Sequence, residues 1–313
     1  MEKQKENVDK KRVLILLVAV LLCVIIFLEV AFNFGVIHFS LSDFLLKTFS
    51  SGATDNESTL VQFLNVGQGD CTIIKVKDNC AVIDFGPEDD SKRVYKGLKK
   101  LGVEDVDLAV VTHLHKDHFG GFLNLPRFIN VKNMVVSNIG ADDMDKELCD
   151  EFFKTTEQYK VKVSEPNLPM KYELGEASLE IFYEGEDQKS ENNRSLIILV
   201  RVGDAKLLFT GDAEGEVEKE IIEKFPNLTA DVLKLGHHGS NTSTTSEFIS
   251  KINPSIAVAS AGYNNFYNHP SDKTVGRLEN AGIKYYRTDL DGNITLYFDK
   301  NKILVETERQ KVG

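Results

Sequence analysis

Cysteine is scarce in this chain. The four present, Cys23, Cys71, Cys80 and Cys149, make no Cys-x-x-Cys metal spacing and no disulfide framework. Cys71 and Cys80 flank an expected hairpin around Lys77-Asp78-Asn79, but in that register they do not face each other. A buried, unpaired role is the expectation for all four. A basic surplus is also missing. The net charge of −11 excludes a global positive field for nucleic acid, although bound metal cations can supply positive charge locally. There is no internal repeat and no low-complexity tract. Histidine is rare as well, seven in 313 residues, yet three of the seven fall in one short stretch.

That stretch is Thr112-His113-Leu114-His115-Lys116-Asp117-His118-Phe119-Gly120-Gly121. His113, His115, Asp117 and His118 place four potential metal ligands within six positions. Imidazole and carboxylate together suit zinc, manganese and iron. The preceding Leu108-Ala109-Val110-Val111 reads as a buried strand. The ligands therefore sit on a loop leaving a strand's C-terminal end, where α/β proteins place their sites. Gly120 and Gly121 let the backbone approach a ligand closely.

The N-terminus differs from the rest. Lys10-Lys11-Arg12 precedes an apolar run from Val13 to Leu28, which resumes after Glu29 as Val30-Ala31-Phe32. About twenty residues span a bilayer, so residues 13–34 are expected to form one transmembrane helix. The basic cluster predicts a cytoplasmic segment 1–12, and no small-x-small cleavage site follows the run. Residues 35–58 read as a polar linker, and 59–313 as one α/β domain outside the cytoplasm.

Within that domain, strands are expected at Leu60–Val66, Cys71–Val76 and Cys80–Gly86, and a helix at Ser91–Leu101. Asp84 ends the third strand, either capping a turn or supporting a metal-bound histidine from behind. Asp70 and Gln68 are turn formers first, and substrate contacts or supports behind a metal ligand second. Ser195–Val202 and Lys206–Phe209 form a hairpin running into Thr210-Gly211-Asp212, where a ligand role for Asp212 is favoured. The strand Val232–Leu235 delivers Gly236-His237-His238-Gly239-Ser240, and Ile256–Ser260 leads toward His269-Pro270. Asp272–Ala281 reads as a helix, and Lys284–Asp289, Ile294–Phe298 and Ile303–Glu306 as strands. The region 122–190 carries no ligand cluster and is expected to shape the cleft.

These motifs resemble those of the metallo-β-lactamase superfamily. More closely, they are similar to the metallo-hydrolase domain of ComEC-type competence proteins. The matching pieces are Phe63–Asp70, Ile83–Gly86, Thr112–Gly121, Leu208–Asp212, Leu233–Ser243, Asn265–Pro270 and Tyr286–Asp289. The resemblance implies a four-layer αββα sandwich with the metals at one edge between two sheets. It implies two divalent ions, zinc or manganese. His113 and His115 would hold one, Asp117 and His118 the other, Asp212 would bridge, and His237 would complete the second site. Many superfamily members supply a further histidine about twenty residues before the bridging aspartate; here Glu191-Asn192-Asn193-Arg194 stands instead. Asn192 or water would then complete the first site, or it would favour a harder ion such as manganese. Nothing resembles the multi-span channel part of competence proteins, so a separate channel protein is an expected partner.

The implied activity is phosphodiester hydrolysis, with DNA the favoured substrate. Asp117 would orient the attacking water, Ser240 would grip a phosphate, and His238 or His269 would protonate the leaving oxygen. The alternatives are hydrolysis of a lactone, β-lactam or other ester, which needs an apolar cleft, and a non-catalytic anchored binding module. The topology yields the first prediction: protease added to intact cells digests or releases the 59–313 domain. Full protection until lysis would show the orientation to be reversed.

Overall fold

Apolar residues alternate along the strands on both faces at once, and that decides the layering. In the computed structural model, which describes residues 59–137, 146–185, 190–299 and 302–309, two large sheets lie face to face. Val61 and Phe63, Ile74 and Val76, and Leu108 and Val110 share one core with Leu196, Ile198, Val200, Leu207 and Phe209 of the opposite sheet. Their sequence neighbours point the other way. Ile197, Leu199, Leu208, Leu233 and Ala257 pack against Val217, Ile221, Phe248, Ile252 and Leu278. Those partners lie on the helices Gly215–Lys224, Ser246–Ile252 and Asp272–Asn280. Sheets apolar on both faces must be covered on both, so the order is helices, sheet, sheet, helices. On the first sheet's outer side Ile73, Val82, Ala109 and Met134 are fully buried. The helices Ser91–Lys100 and Lys146–Gln158 and the 3-10 segment Gly120–Arg127 supply the cover.

The first sheet has eight strands, in the order Lys302–Thr307, Ile294–Asp299, Leu60–Phe63, Thr72–Val76, Asn79–Ile83, Leu108–Val111, Asn133–Val136 and Lys162–Ser164. It is antiparallel as far as Asn79–Ile83 and parallel beyond. The second sheet has seven, in the order Lys284–Arg287, Ile256–Ala259, Val232–Lys234, Ala205–Phe209, Leu196–Val202, Ala177–Glu184 and Met170–Leu174. Its first four strands are parallel. The parallel halves deliver every histidine loop from a strand's C-terminal end, which is where α/β sheets open a crevice.

Several expectations shift in detail. The first strand stops at Phe63, and Leu64–Asp70 turns away with Leu64 N–H donating to Cys71 O at 2.9 Å. The strand expected over Lys284–Asp289 stops at Arg287. Thr288 there bonds Ala261 through its Oγ1, and Asp291 caps the Arg287 N–H at 2.8 Å, winding Thr288–Asp291 into a helical turn. The strands of the middle region extend both sheets. Cys71, Cys80 and Cys149 are buried and in no disulfide, and Cys80 pairs across the hairpin with Lys75. The expected anchor at 13–34 and linker at 35–58 lie outside the described residues. Among the described residues no helix is long and apolar enough to cross a membrane.

Two glycines give opposite predictions. A Cβ on Gly121 would lie 2.1 Å from the Phe85 carbonyl oxygen, so Gly121→Ala forces the metal-loop backbone apart. Gly276, inside the helix Asp272–Asn280, has nothing within 4 Å of such a Cβ. Urea unfolding should show Gly121→Ala destabilised by about 3 kcal/mol and Gly276→Ala stabilised by about 0.5–1 kcal/mol.

Candidate metal centre

Four histidines converge on one carboxylate. Asp212 Oδ1 lies 3.3 Å from His118 Nε2, and Asp212 Oδ2 lies 3.5, 3.8 and 3.9 Å from Nε2 of His238, His237 and His113. His113 Nε2 is also 3.0 Å from His115 Nδ1, and Asp117 Oδ2 is 3.2 Å from His238 Nε2. Asp70, His118, Asp212 and His238 all offer ligand atoms within 4.8 Å of one another.

The ring nitrogens turned away from this centre are held in turn. His118 Nδ1 meets Asp84 Oδ2 at 2.8 Å, and the same carboxylate accepts the Thr112 N–H and Oγ1–H at 2.8 Å each. His238 Nδ1 meets Asp70 Oδ1 and Ser260 O, both at 3.1 Å. His237 Nδ1 faces Glu214 at 3.4 Å, and His113 Nδ1 faces Ser195 Oγ at 3.3 Å. Ser195 Oγ also accepts the Asp212 N–H at 2.9 Å, tying the central aspartate to the hairpin. His115 Nε2 has the Glu191 carboxylate at 3.1 Å. Carboxylates behind imidazoles fix the ring's tautomer and make it a better ligand.

The loop bearing His237 and His238 is unusual backbone. Both residues have positive φ, 49° and 53°, between two glycines. Such conformations cost on the order of 1 kcal/mol each in L-residues. The His237 N–H is anchored to Gly211 O at 3.1 Å, and the two rings lie with centroids 6.1 Å apart at 64°. The expectation from sequence has His237 toward the metals and His238 toward substrate. Both side chains reach the centre, each Nε2 lying within 3.8 Å of Asp212 Oδ2: His238 is buried there, and His237 stands half-buried beside His269, ring centroids 5.6 Å apart.

Charge follows from burial and neighbours. Burial pushes His113 and His115 below their ordinary values. His118 and His238 are buried as deeply, but Asp212 and Asp84 outweigh burial at the first, and Asp212 and Asp70 at the second. His238 rises to about 10. Burial would raise Asp117 and Asp212, but His238 and His118 hold both well below the carboxylate range. Burial lowers His269 to about 4, with His237 and His238 adding to it. The carboxylates that lift His118 and His238 against their burial give the centre a local negative charge that suits cations. His118 Nε2 and Asp212 Oδ1, although neighbours, have no hydrogen-bond partner among the described residues, as expected of groups aimed at a metal. The donor set fits divalent ions.

The cleft over this centre encloses about 400 Å³ and is lined by His115, Asp117, Asn192, His237, Tyr267 and His269 among others. Two expected substrate contacts are elsewhere. Ser240 is buried, its Oγ 3.0 Å from Thr242 Oγ1, and it does not line the cleft. Asp70 is buried on Lys234 Nζ at 2.6 Å. Sequence reasoning missed Glu191, Ser195, Glu214 and Lys234. The signal for Lys234 was present, a lysine inside the apolar strand Val232–Leu235. Glu191 stands beside the Asn192 weighed as a ligand.

A family model described as the metallo-β-lactamase superfamily matches residues 64–263. The chain is 33% identical over 208 residues to ComE operon protein 3 of Bacillus subtilis, covering 66% of this chain and 26% of that protein. It is 29% identical over 261 residues to competence protein ComA of Neisseria gonorrhoeae, covering 82% of this chain and 34% of that protein. It thus spans about a third or less of the curated relatives it matches. In three dimensions it resembles the metallo-β-lactamase fold protein YhfI of Bacillus subtilis, with TM-score 0.54, 10% identity, and 77% and 100% of the two chains covered. It also resembles Zn(2+)-bound PqqB from Methylobacterium extorquens, with TM-score 0.52, 11% identity, and coverage of 76% and 99%.

The Lys234–Asp70–His238 chain yields a stability prediction. Burial pushes Asp70 up, but Lys234 and then His238 outweigh it and hold it at about 2 rather than 3.8. Asp70→Asn strands a buried lysine and should cost about 3–5 kcal/mol, much of it recovered in Asp70→Asn/Lys234→Met. The contribution is complete above pH 3.8 and lost as pH falls through about 2, so the gap between wild type and Asp70→Asn in unfolding titrations should close over that interval.

Proposed function

Because the chain belongs to the metallo-β-lactamase superfamily, we propose that it is a dinuclear-metal phosphodiesterase acting on nucleic acid, with DNA the favoured substrate. The observation that carries the reading is the convergence of His113, His115, His118, His238 and Asp117 around Asp212 beneath an open cleft. The names of the two competence-protein relatives support the nucleic-acid side. One cation would be held by His113, His115 and Asp212, the other by Asp117, His118, His238 and Asp212. Glu191, at 3.1 Å from His115 Nε2, adds a carboxylate to the first site and favours a harder ion such as manganese there. Divalent ions held so close lower the pKa of water and neutralise charge on a phosphoryl group.

The chain's own groups do the rest. Asp117 accepts a hydrogen bond from the attacking water and aligns it. His237, backed by Glu214 at 3.4 Å, gives the leaving oxygen its proton, and His269 lies beside it in the cleft. Exposed Lys116 at the rim meets phosphate. Leu114, Phe119 and Leu148 form an apolar wall, which favours an ester or lactone as the second reading. We place the domain outside the cytoplasm on an anchor at residues 13–34, from the Lys10–Arg12 cluster and the apolar run after it. A separate channel protein is the proposed partner, by analogy with the much longer competence relatives.

The purified full chain, loaded with zinc or manganese, should hydrolyse DNA or RNA in preference to lactones and β-lactams; ester turnover with none on phosphodiesters would make the second reading correct. Asp212→Ala and His238→Ala should lose metal by elemental analysis together with all activity. His237→Ala should keep its metals and lose on the order of 10²-fold or more on a phosphodiester with a poor leaving group. Its loss on an activated aryl phosphodiester should be far smaller. Metal loss in His237→Ala with retention in His238→Ala would restore the assignment expected from sequence.

A further inference from the structure

Five large apolar side chains stand exposed among the described residues, and three of them share one loop: Tyr263 at 70%, Phe266 at 95% and Tyr267 at 64%. The loop is not slack. The Asn265 side chain ties it internally, accepting the His269 N–H at 2.9 Å and donating to Gly262 O at 2.8 Å and to His269 O. Asn264 and Asn268 take positive φ, 51° and 55°, which asparagine tolerates. At its base the Gly262 N–H donates to Gln68 Oε1 at 3.1 Å, and a Cβ on Gly262 would lie 2.9 Å from Gln68 N. The aromatic rings are therefore presented on a fixed turn. Tyr267 lines the metal cleft, its ring 5.7 Å from His269 and nearly parallel to it at 26°. Phe266 sits one ring further out, 6.1 Å from Tyr267.

Clustered exposed aromatics cost solvation free energy, and they mark a surface that something covers. Their chemistry narrows the occupant. The segment Tyr263–Pro270 has no lysine or arginine and three asparagines. A lipid-surface element pairs apolar groups with basic ones. Aromatic faces interleaved with amides instead suit unpaired nucleobases, which offer a π face and polar edges. With a net charge of −11, affinity for a polyanion has to come from base faces more than from a basic groove. A duplex keeps its base faces stacked inside.

We propose that the Gly262–Pro270 loop is a base-stacking platform, seating unpaired bases of a single-stranded nucleic acid beside the cleft so that the adjoining phosphodiester enters it. This rests on the phosphodiesterase reading and adds to it a preference for single strands and a shallow dependence of binding on salt.

The chain contains no tryptophan, so Phe266→Trp installs a lone reporter in the platform. In the full-length protein its fluorescence should be quenched by oligo(dT) or oligo(rU), and not by an abasic strand of equal charge, by duplex, or by anionic phospholipid vesicles. The DNA and RNA arms separate the two sources of base. Phe266→Ala and Tyr263→Ala should each raise KM for a single-stranded oligonucleotide about tenfold and leave turnover of a small aryl phosphodiester unchanged. Quenching by abasic strand equal to that by oligo(dT), quenching by vesicles alone, or unchanged KM in both alanine variants would overturn the platform. Absence of phosphodiester turnover with base-dependent quenching intact would instead sink the catalytic reading and leave the platform standing.

Discussion

The Asp212 carboxylate is the point on which the rest of the site depends. Four imidazole Nε2 atoms lie 3.3–3.9 Å from it, and they arrive on two loops fed by different sheets. Burying so many ionisable groups is expensive unless charge is matched and hydrogen bonds are complete. The match is made in layers. Behind the imidazoles stand Asp84, Asp70, Glu214 and Glu191, and behind Asp70 stands Lys234. Polarity thus decreases outward from the centre until it meets the apolar core at the strand ends. Each layer orients the one inside it, which is how a fold holds ligand nitrogens in place without relying on the ligands' own rotamers.

The backbone does similar work between loops. The Asp70 N–H donates to Asp117 O at 3.1 Å, Phe85 N–H to His118 O at 2.6 Å, and Gly86 N–H to Asp70 O at 2.7 Å. Gly69 permits the first of these, because a Cβ there would stand 2.4 Å from the Asp117 carbonyl oxygen. The Gly67–Asp70 turn, the Asp84–Gly86 turn and the His113–His118 loop therefore form one hydrogen-bonded floor. The opposite wall, from Thr210–Ala213 and Gly236–Ser240, is closed by His237 N–H to Gly211 O and by Ser243 Oγ–H to Ala213 O at 2.8 Å. The cleft lies between these two rigid walls, and Gln68 joins the floor to the aromatic loop at its rim.

The lining of the cleft combines the apolar Leu114, Phe119 and Leu148 with the polar His237, Asn192 and His269. The chain aligns with only 26% and 34% of the two competence-protein relatives.

The residues alone determined the ligand loop, since three histidines and an aspartate packed behind an apolar strand admit few other uses. They also determined the strand Leu108–Val111, whose bounds hold to the residue, and the buried state of Cys71, Cys80 and Cys149. All of these follow from local chemistry or from a period of two along the chain. Only the tertiary structure brought His237 and His238 together at Asp212, the first half-buried and the second buried. That arrangement depends on two consecutive residues of positive φ, a conformation that neighbouring loops impose and local propensity disfavours. Tertiary structure likewise buried Ser240 and Asp70 away from the cleft and set Glu191, Glu214 and Lys234 behind His115, His237 and Asp70. Their roles come from partners such as His115, 76 positions from Glu191, and Asp70, 164 positions from Lys234, and pairings at that separation leave no local pattern to read.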